Sequence, residues 1–277
     1  MARDERRNSI VTGGLDRIGR ASLGLFTLIG GASQLTGSVG RWYWRSSAGS
    51  GVRLGWPAVV AQMVRVGVRS TAIVLLVSSC IGLILAISMY PPLAELGQAN
   101  KIANIVGIAV FREMGPIISA VVLTGYAGAS IAAEIGTMVV GEEIEALEAH
   151  ALDPVRFLVL PRLTATAISL VLLTILADVA AVACSGAVSI AFFDISLNVY
   201  IDNTLAQLSI TDFLTGLLKA ATFGVMLGAI ACYNGLKVSG GAAGVGKATT
   251  DTVVQTIVAV IISDLIYGAV FLQLGWT

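Results

Sequence analysis

The chain has 277 residues, 56% hydrophobic and only 12% charged, with 17 basic and 17 acidic side chains. Soluble domains carry about a quarter charged residues, so this composition excludes an ordinary water-soluble domain, and zero formal net charge excludes a global field that would draw nucleic acid. Cys80, Cys184 and Cys232 each sit in an apolar run without a C-x-x-C partner, which argues against a metal or dithiol centre and for small buried hydrophobes.

The opening MARDERRNSIVTGG has the charge of a signal n-region, but Gly30, Gly31, Gln34 and Gly37 break the apolar core that should follow. It is therefore read as a retained end. From Gly14 to Arg69 apolar clusters mix with glycines, and Arg41-Trp42-Tyr43-Trp44-Arg45 places aromatics between arginines, as at a headgroup interface. Trp56-Pro57 then opens a helix with Arg65 and Arg69 on one face. Residues 1–69 are expected to form a cytoplasmic end with a helical segment lying on the membrane, in preference to a sixth span.

Residues 70–277 are expected to form a five-span domain, since a crossing helix needs about 20 mostly apolar residues. The first run is Ser70 to Met89, stopped by Pro91-Pro92, and the second is Met114 to Ala133, extended upstream through Ile105 to Phe111. Leu163 to Phe193 is interrupted only by Asp178, Phe213 to Leu236 by Lys219, and Thr252 to Leu274 by Asp264. The fold class is all-α, a polytopic membrane protein. Ten of the seventeen basic residues precede the first span; Arg156 and Arg162 lie between the second and third, and Lys237 and Lys247 between the fourth and fifth. The opposite loops hold Lys101 alone, or Asp194, Asp202 and Asp212 with no base. The excess of bases on one side sets the N-terminus in the cytoplasm and the C-terminus outside.

Gly241 to Ala248 reads G-A-A-G-V-G-K-A, one hydroxyl short of a phosphate-binding loop. Such a loop needs a preceding strand and a Ser or Thr after the lysine to hold magnesium. A membrane helix precedes this one, and Ala248 takes the hydroxyl position. A tight turn is expected instead, with Thr249 or Thr250 capping the last helix. No cofactor is expected to bind this chain.

The other cytoplasmic loop, GEEIEALEAHALDPVRFLVLPR from Gly141 to Arg162, packs Glu142, Glu143, Glu145 and Glu148 into two turns, ended by Asp153-Pro154. Ile144, Leu147 and Ala151 recur at helical spacing, so a short helix would carry an apolar stripe and an acidic face. Anionic headgroups would repel that face, so the segment fits either a solvated loop or, in preference, a docking helix for a soluble cytoplasmic partner. His150 has no set of companion metal ligands.

E-E-I-E-A-L-E, D-P and P-R in this loop follow A-G-A-S-I-A-A-E-I-G at Ala127 to Gly136 and F-R-E-M-G-P at Phe111 to Pro116. With G-V-G-K-A-T-T at Gly244 to Thr250, this order of motifs resembles the MlaE/YrbE family, from about Trp56 to the C-terminus. Tyr126 stands where some relatives carry arginine. The resemblance implies a homodimeric permease of the bacterial inner membrane that moves phospholipid with an MCE-domain protein. ATP would be used by a separate cytoplasmic ABC ATPase, seated on Glu142, Glu143, Ile144, Glu145, Leu147, Glu148 and Asp153.

Ionisable residues within spans are costly and mark function by default. At a rise of 1.5 Å per residue, Asp178 lies about 24 Å from Arg162, Lys219 about 27 Å from Lys237, Glu113 about 31 Å from Glu134 and Asp264 about 20 Å from Asp251. In a core about 30 Å thick all four fall in the outer half, with Arg112 beside them. Mixed charges at one depth fit ion pairs between helices or a charged-ligand pocket. The family resemblance favours a lipid site at Arg112, Glu113, Lys219 and Asp264. Small-residue lines at Gly125, Ala129, Ala133, at Gly128, Ala132, Gly136, and at Gly224, Gly228 allow close helix approach. The rival function is an ion- or proton-coupled carrier with Asp178, Asp264 and Glu113 as relay groups; no internal repeat supports it. A bare scaffold would leave the intramembrane charges without a use.

Overall fold

The computed structural model describes residues 23–24, 26–45 and 55–275, which form helices and connecting turns with no strand among them. The charged opening stretch lies outside the described residues. Five helices are long and apolar enough to cross a membrane: Trp56–Glu95, Ala99–Val140, Val155–Phe193, Ile210–Leu236 and Gly241–Gln273. All five expected spans are present, each longer than its apolar run. Pro91 and Pro92 do not end the first span. They sit in its last turns, where the Pro92 carbonyl still accepts from Leu96 N and Gln98 N reaches the Leu93 carbonyl. A proline loses its own donor but keeps its acceptor, so the turn continues after it. Residues 56–69, grouped above with the N-terminal segment, instead run into the first span through a tighter turn at Val68–Ser70.

The third span is the centre of the bundle, packed on the first and the fourth. Leu170, Leu173, Phe223, Leu227, Val74 and Leu123 are all buried in one core. At several crossings no side chain separates the backbones. A Cβ on Gly82 would lie 2.0 Å from the Ala181 carbonyl oxygen, and one on Gly216 would lie 2.1 Å from the Phe111 carbonyl. Gly224 and Gly228 face Ala167 and Leu163 on the third span, so that pair of small residues serves packing within the chain. Gly136 fits under Val238, whereas Gly125 meets nothing within 4 Å. Of the cysteines only Cys232 is buried within the chain; Cys80 faces outward.

The glycine-rich stretch differs from expectation. Only Gly240 and Gly241 use positive φ, at 85° and 69°, and the helix begins at Gly241. Thr249 and Thr250 are therefore inside the fifth span, where both hydroxyls donate to the Gly246 carbonyl and cap nothing. At the same end of the bundle the acidic loop does form a helix, Glu143–Ala149, with Ile144 packed on the core and the glutamates exposed. Positive φ at Glu142 and Ala151 frames it. At the opposite end Leu197–Gln207 forms a helix within the stretch of Asp194, Asp202 and Asp212 expected to be a loop. Its Tyr200 is buried against Ile102, Ala103 and Ile195, and its hydroxyl donates to the Val182 carbonyl.

Residues 26–45 form a further helix against the fourth span and the acidic loop. Tyr233 donates to the Thr27 carbonyl, Tyr43 pairs with Thr164, and Trp42 Nε1 donates to Asp153.

Candidate functional site

Lys219 decides what the intramembrane charges do. It is the bulkiest of the fully buried side chains, 0% exposed in the middle of the fourth span. An ammonium cannot remain there without partners. Two carboxylates from other spans supply them: Nζ donates to Glu113 Oε2 at 2.6 Å, and Asp264 Oδ1 stands at 2.9 Å. The Asp264 contact is an ion pair outside hydrogen-bonding geometry, since that oxygen has no hydrogen-bond partner among the described residues. The Phe271 ring lies 5.9 Å from the ammonium and adds a cation–π contact. Glu113 is 38% exposed and Asp264 17%, so the trio is closed around the base and open on the acid side.

Local backbone explains how Glu113 reaches Lys219. Val110–Met114 is a π turn inside the second span. The wider turn holds one residue more than an α turn and turns the following side chains about the axis; such insertions recur at functional sites. Gly216 admits the Phe111 carbonyl of this turn against the fourth span.

The remaining expected site residues do not join the trio. Arg112 Nη1 faces Asp212 Oδ1 at 3.7 Å. Asp212 is fixed by a capping box, because Ser209 Oγ accepts from its backbone N while its own carboxylate accepts from Ser209 N. Asp178, 1% exposed, lies against the second span, where a Cβ on Gly115 would be 1.7 Å from its Oδ1. That oxygen has no hydrogen-bond partner among the described residues. The expected five-residue pocket thus resolves into a lysine trio, an arginine–aspartate pair and a separate buried carboxyl.

A second charged group was missed. Glu134 binds Arg65 of the first span at 2.6 Å and Arg162 of the third at 3.2 Å, and Arg162 also donates to the Leu158 carbonyl. Glu134 entered the sequence reading only as a depth marker. The signal was available, because all three charges fall near the same end of their spans. Tyr126 lines the cleft beside Arg65 and Arg69.

The family described as Permease MlaE matches residues 59–270, which takes in most of the first span and nearly all of the other four. The chain belongs to the MlaE permease family. A probable ABC transporter permease protein of Rickettsia prowazekii is 34% identical over 78% of this chain and 83% of its own length. A similarly described protein of Synechocystis is 32% identical over 76% of this chain and 81% of its own. The plant protein TRIGALACTOSYLDIACYLGLYCEROL 1, chloroplastic, of Arabidopsis thaliana is 32% identical over 80% of this chain, and the match spans 63% of the plant protein's length. As an MlaE-type ABC permease the chain is a multi-pass membrane component, not the catalytic subunit, and such permeases generally work as paired halves with an ATPase.

Proposed function

We propose that this permease is the membrane half of an ATP-driven lipid transporter of a bacterial inner membrane, present as two copies, moving phospholipid or a related lipid together with an MCE-domain protein. The observation that carries the reading is the MlaE match running through the spans. The glycerolipid in the plant relative's name supports a lipid cargo. With the N-terminus in the cytoplasm and the C-terminus outside, the Glu143–Ala149 helix faces the cytoplasm, where its exposed Glu143, Glu145 and Glu148 suit the basic groove of an ATPase that uses the ATP. Glu142, Ile144, Leu147 and Asp153 shape and anchor that helix. The Lys219 trio is the polar station for the headgroup: a lipid phosphate takes the place of one carboxylate on the ammonium. Arg112 and Asp178 act beside it, the first by attracting the anion and the second by holding the second and third spans.

One observation favours a proton-coupled carrier as the second reading, the buried and unbonded Asp178 oxygen. Both readings meet one experiment. The permease and its ATPase are reconstituted in vesicles, and movement of a fluorescent phospholipid is followed with ATP or with a pH gradient. Movement should require ATP, and Glu143, Glu145 and Glu148 all changed to lysine should release the ATPase and abolish it. Movement driven by the gradient alone would favour the carrier, and full ATPase recovery by the triple variant would remove the docking role.

A further inference from the structure

A cleft of about 220 Å³ opens between the 26–45 helix and the turn that follows the acidic helix, lined by Ser38, Arg41, Trp42, Arg45, Asp153 and Val155. Its floor is built. Trp42 Nε1 donates to Asp153 Oδ2 at 3.1 Å, and Asp153 Oδ1 accepts from Val155 N at 2.9 Å, so the one carboxylate is occupied by neutral donors. The Arg156 guanidinium lies 5.1 Å from the Trp42 ring centroid and that of Arg45 lies 5.6 Å from it. Among the described residues Arg41 donates to Ser38 of its own helix. Among the described residues neither Arg41 nor Arg156 makes an ion pair. Arg41 in the lining and Arg156 against the Trp42 wall therefore bring two positive charges to one carboxylate that is already bonded to neutral donors.

We propose that this cleft binds the phosphate of an anionic phospholipid from the leaflet around the permease. Guanidinium pairs match phosphate oxygens by fixed forks of N–H donors. The surroundings select a lipid over a soluble phosphate. Trp44 on the same helix is 79% exposed, Phe157 next to Arg156 is exposed as well, and so are Phe26 and Ile29 further along that helix. Aromatic and apolar side chains next to arginines suit the boundary between headgroups and acyl chains. Through Trp42 and Asp153 the bound headgroup touches the segment that carries the acidic helix. This site is separate from the Lys219 trio and does not rest on the transport reading.

The test uses the full chain in nanodiscs and counts retained lipids by native mass spectrometry, in phosphatidylglycerol against phosphatidylcholine. The unmodified chain should retain phosphatidylglycerol preferentially, and inorganic phosphate should not displace it. Arg41→Gln touches no other element and should lower the preference about fivefold; Arg41→Gln with Arg156→Gln should lower it roughly twenty-fivefold, at about 1 kcal/mol per arginine near an anionic surface. Trp fluorescence on unfolding should show Arg41→Gln unchanged. An unaltered preference in Arg41→Gln, or displacement by phosphate alone, would overturn the lipid site. Loss of ATPase from Arg41→Gln with lipid retention unchanged would assign the arginines to a protein partner and overturn it too.

Discussion

Replacing Lys219 by methionine keeps the side-chain length and removes the charge between Glu113 and Asp264. Two carboxylates then face each other in a core without their base. Removing one partner of a buried ion pair costs about 3–5 kcal/mol, because the uncompensated charge remains. Here the value should fall toward the lower part of that range, since Glu113 is 38% exposed and can be screened or protonated. About 3 kcal/mol is a factor of roughly 150 in the folding equilibrium. Adding Glu113→Gln and Asp264→Asn to Lys219→Met removes the stranded charges and should recover most of the loss, as neutral replacements of buried ion pairs often do. Stability is read from denaturant titration in mixed micelles by tryptophan fluorescence, and transport from fluorescent lipid transfer with the ATPase. The single variant should be destabilised and inactive, and the triple variant stable and inactive. A triple variant less stable than the single one would refute the electrostatic account. A stable triple variant that transports normally would reduce the trio to a structural clamp.

Gly82→Ala should destabilise the protein more than Gly115→Ala, by about 1–3 kcal/mol or more, because its neighbour is the Ala181 backbone whereas Gly115 meets the movable Asp178 carboxyl; equal losses in the same titration would contradict this. Purified permease alone should show no saturable binding of labelled ATP, and micromolar binding lost in Lys247→Ala would overturn the reading of Gly241 to Ala248. Burial raises the Tyr200 phenol above its ordinary value of 10.0. The unfolded chain then ionises first, so the stability this residue contributes is complete below pH 10 and is lost as pH rises through the higher folded value. Tyr200→Phe should flatten that alkaline fall in a pH-resolved melt, and an unchanged slope would assign it to another group.

The spans were legible because a membrane core demands long apolar runs and little else competes with that pattern. Their ends were less so: Pro91-Pro92 and the glycines after Gly240 resemble stops, yet only Gly240 and Gly241 adopt a conformation that needs glycine. Depth along each helix brought Glu113, Lys219 and Asp264 to one level, and the three do meet. The same arithmetic placed Arg112 and Asp178 with them, but depth says nothing of direction around the axis. The π turn at Val110–Met114 has no sequence signature in a 3.6-residue pattern, and Asp212 was unread because its capping role depends on Ser209 ending a loop that proved partly helical. The acidic helix was legible from its own stripe of Ile144 and Leu147.

The close crossings have a mechanical consequence. The first and third spans touch backbone to backbone at Gly82, the third and fourth at Gly224 and Gly228, and the second and fourth at Gly216. Surfaces in such contact cannot part or slide past a side chain without losing their whole seam, so a motion that keeps the seams carries these four helices together as one plate. The fifth span is different: Gly246 and Gly268 meet nothing within 4 Å, and little of its most apolar stretch is buried within the chain. A displacement that spares the seams therefore falls on the fifth span, which side chains hold in place, among them Asn234 donating to Thr252 and Gln255. Glu113 and Lys219 ride together on the plate, Asp264 does not, and the charged contact that such a displacement opens is the ion pair between Lys219 and Asp264.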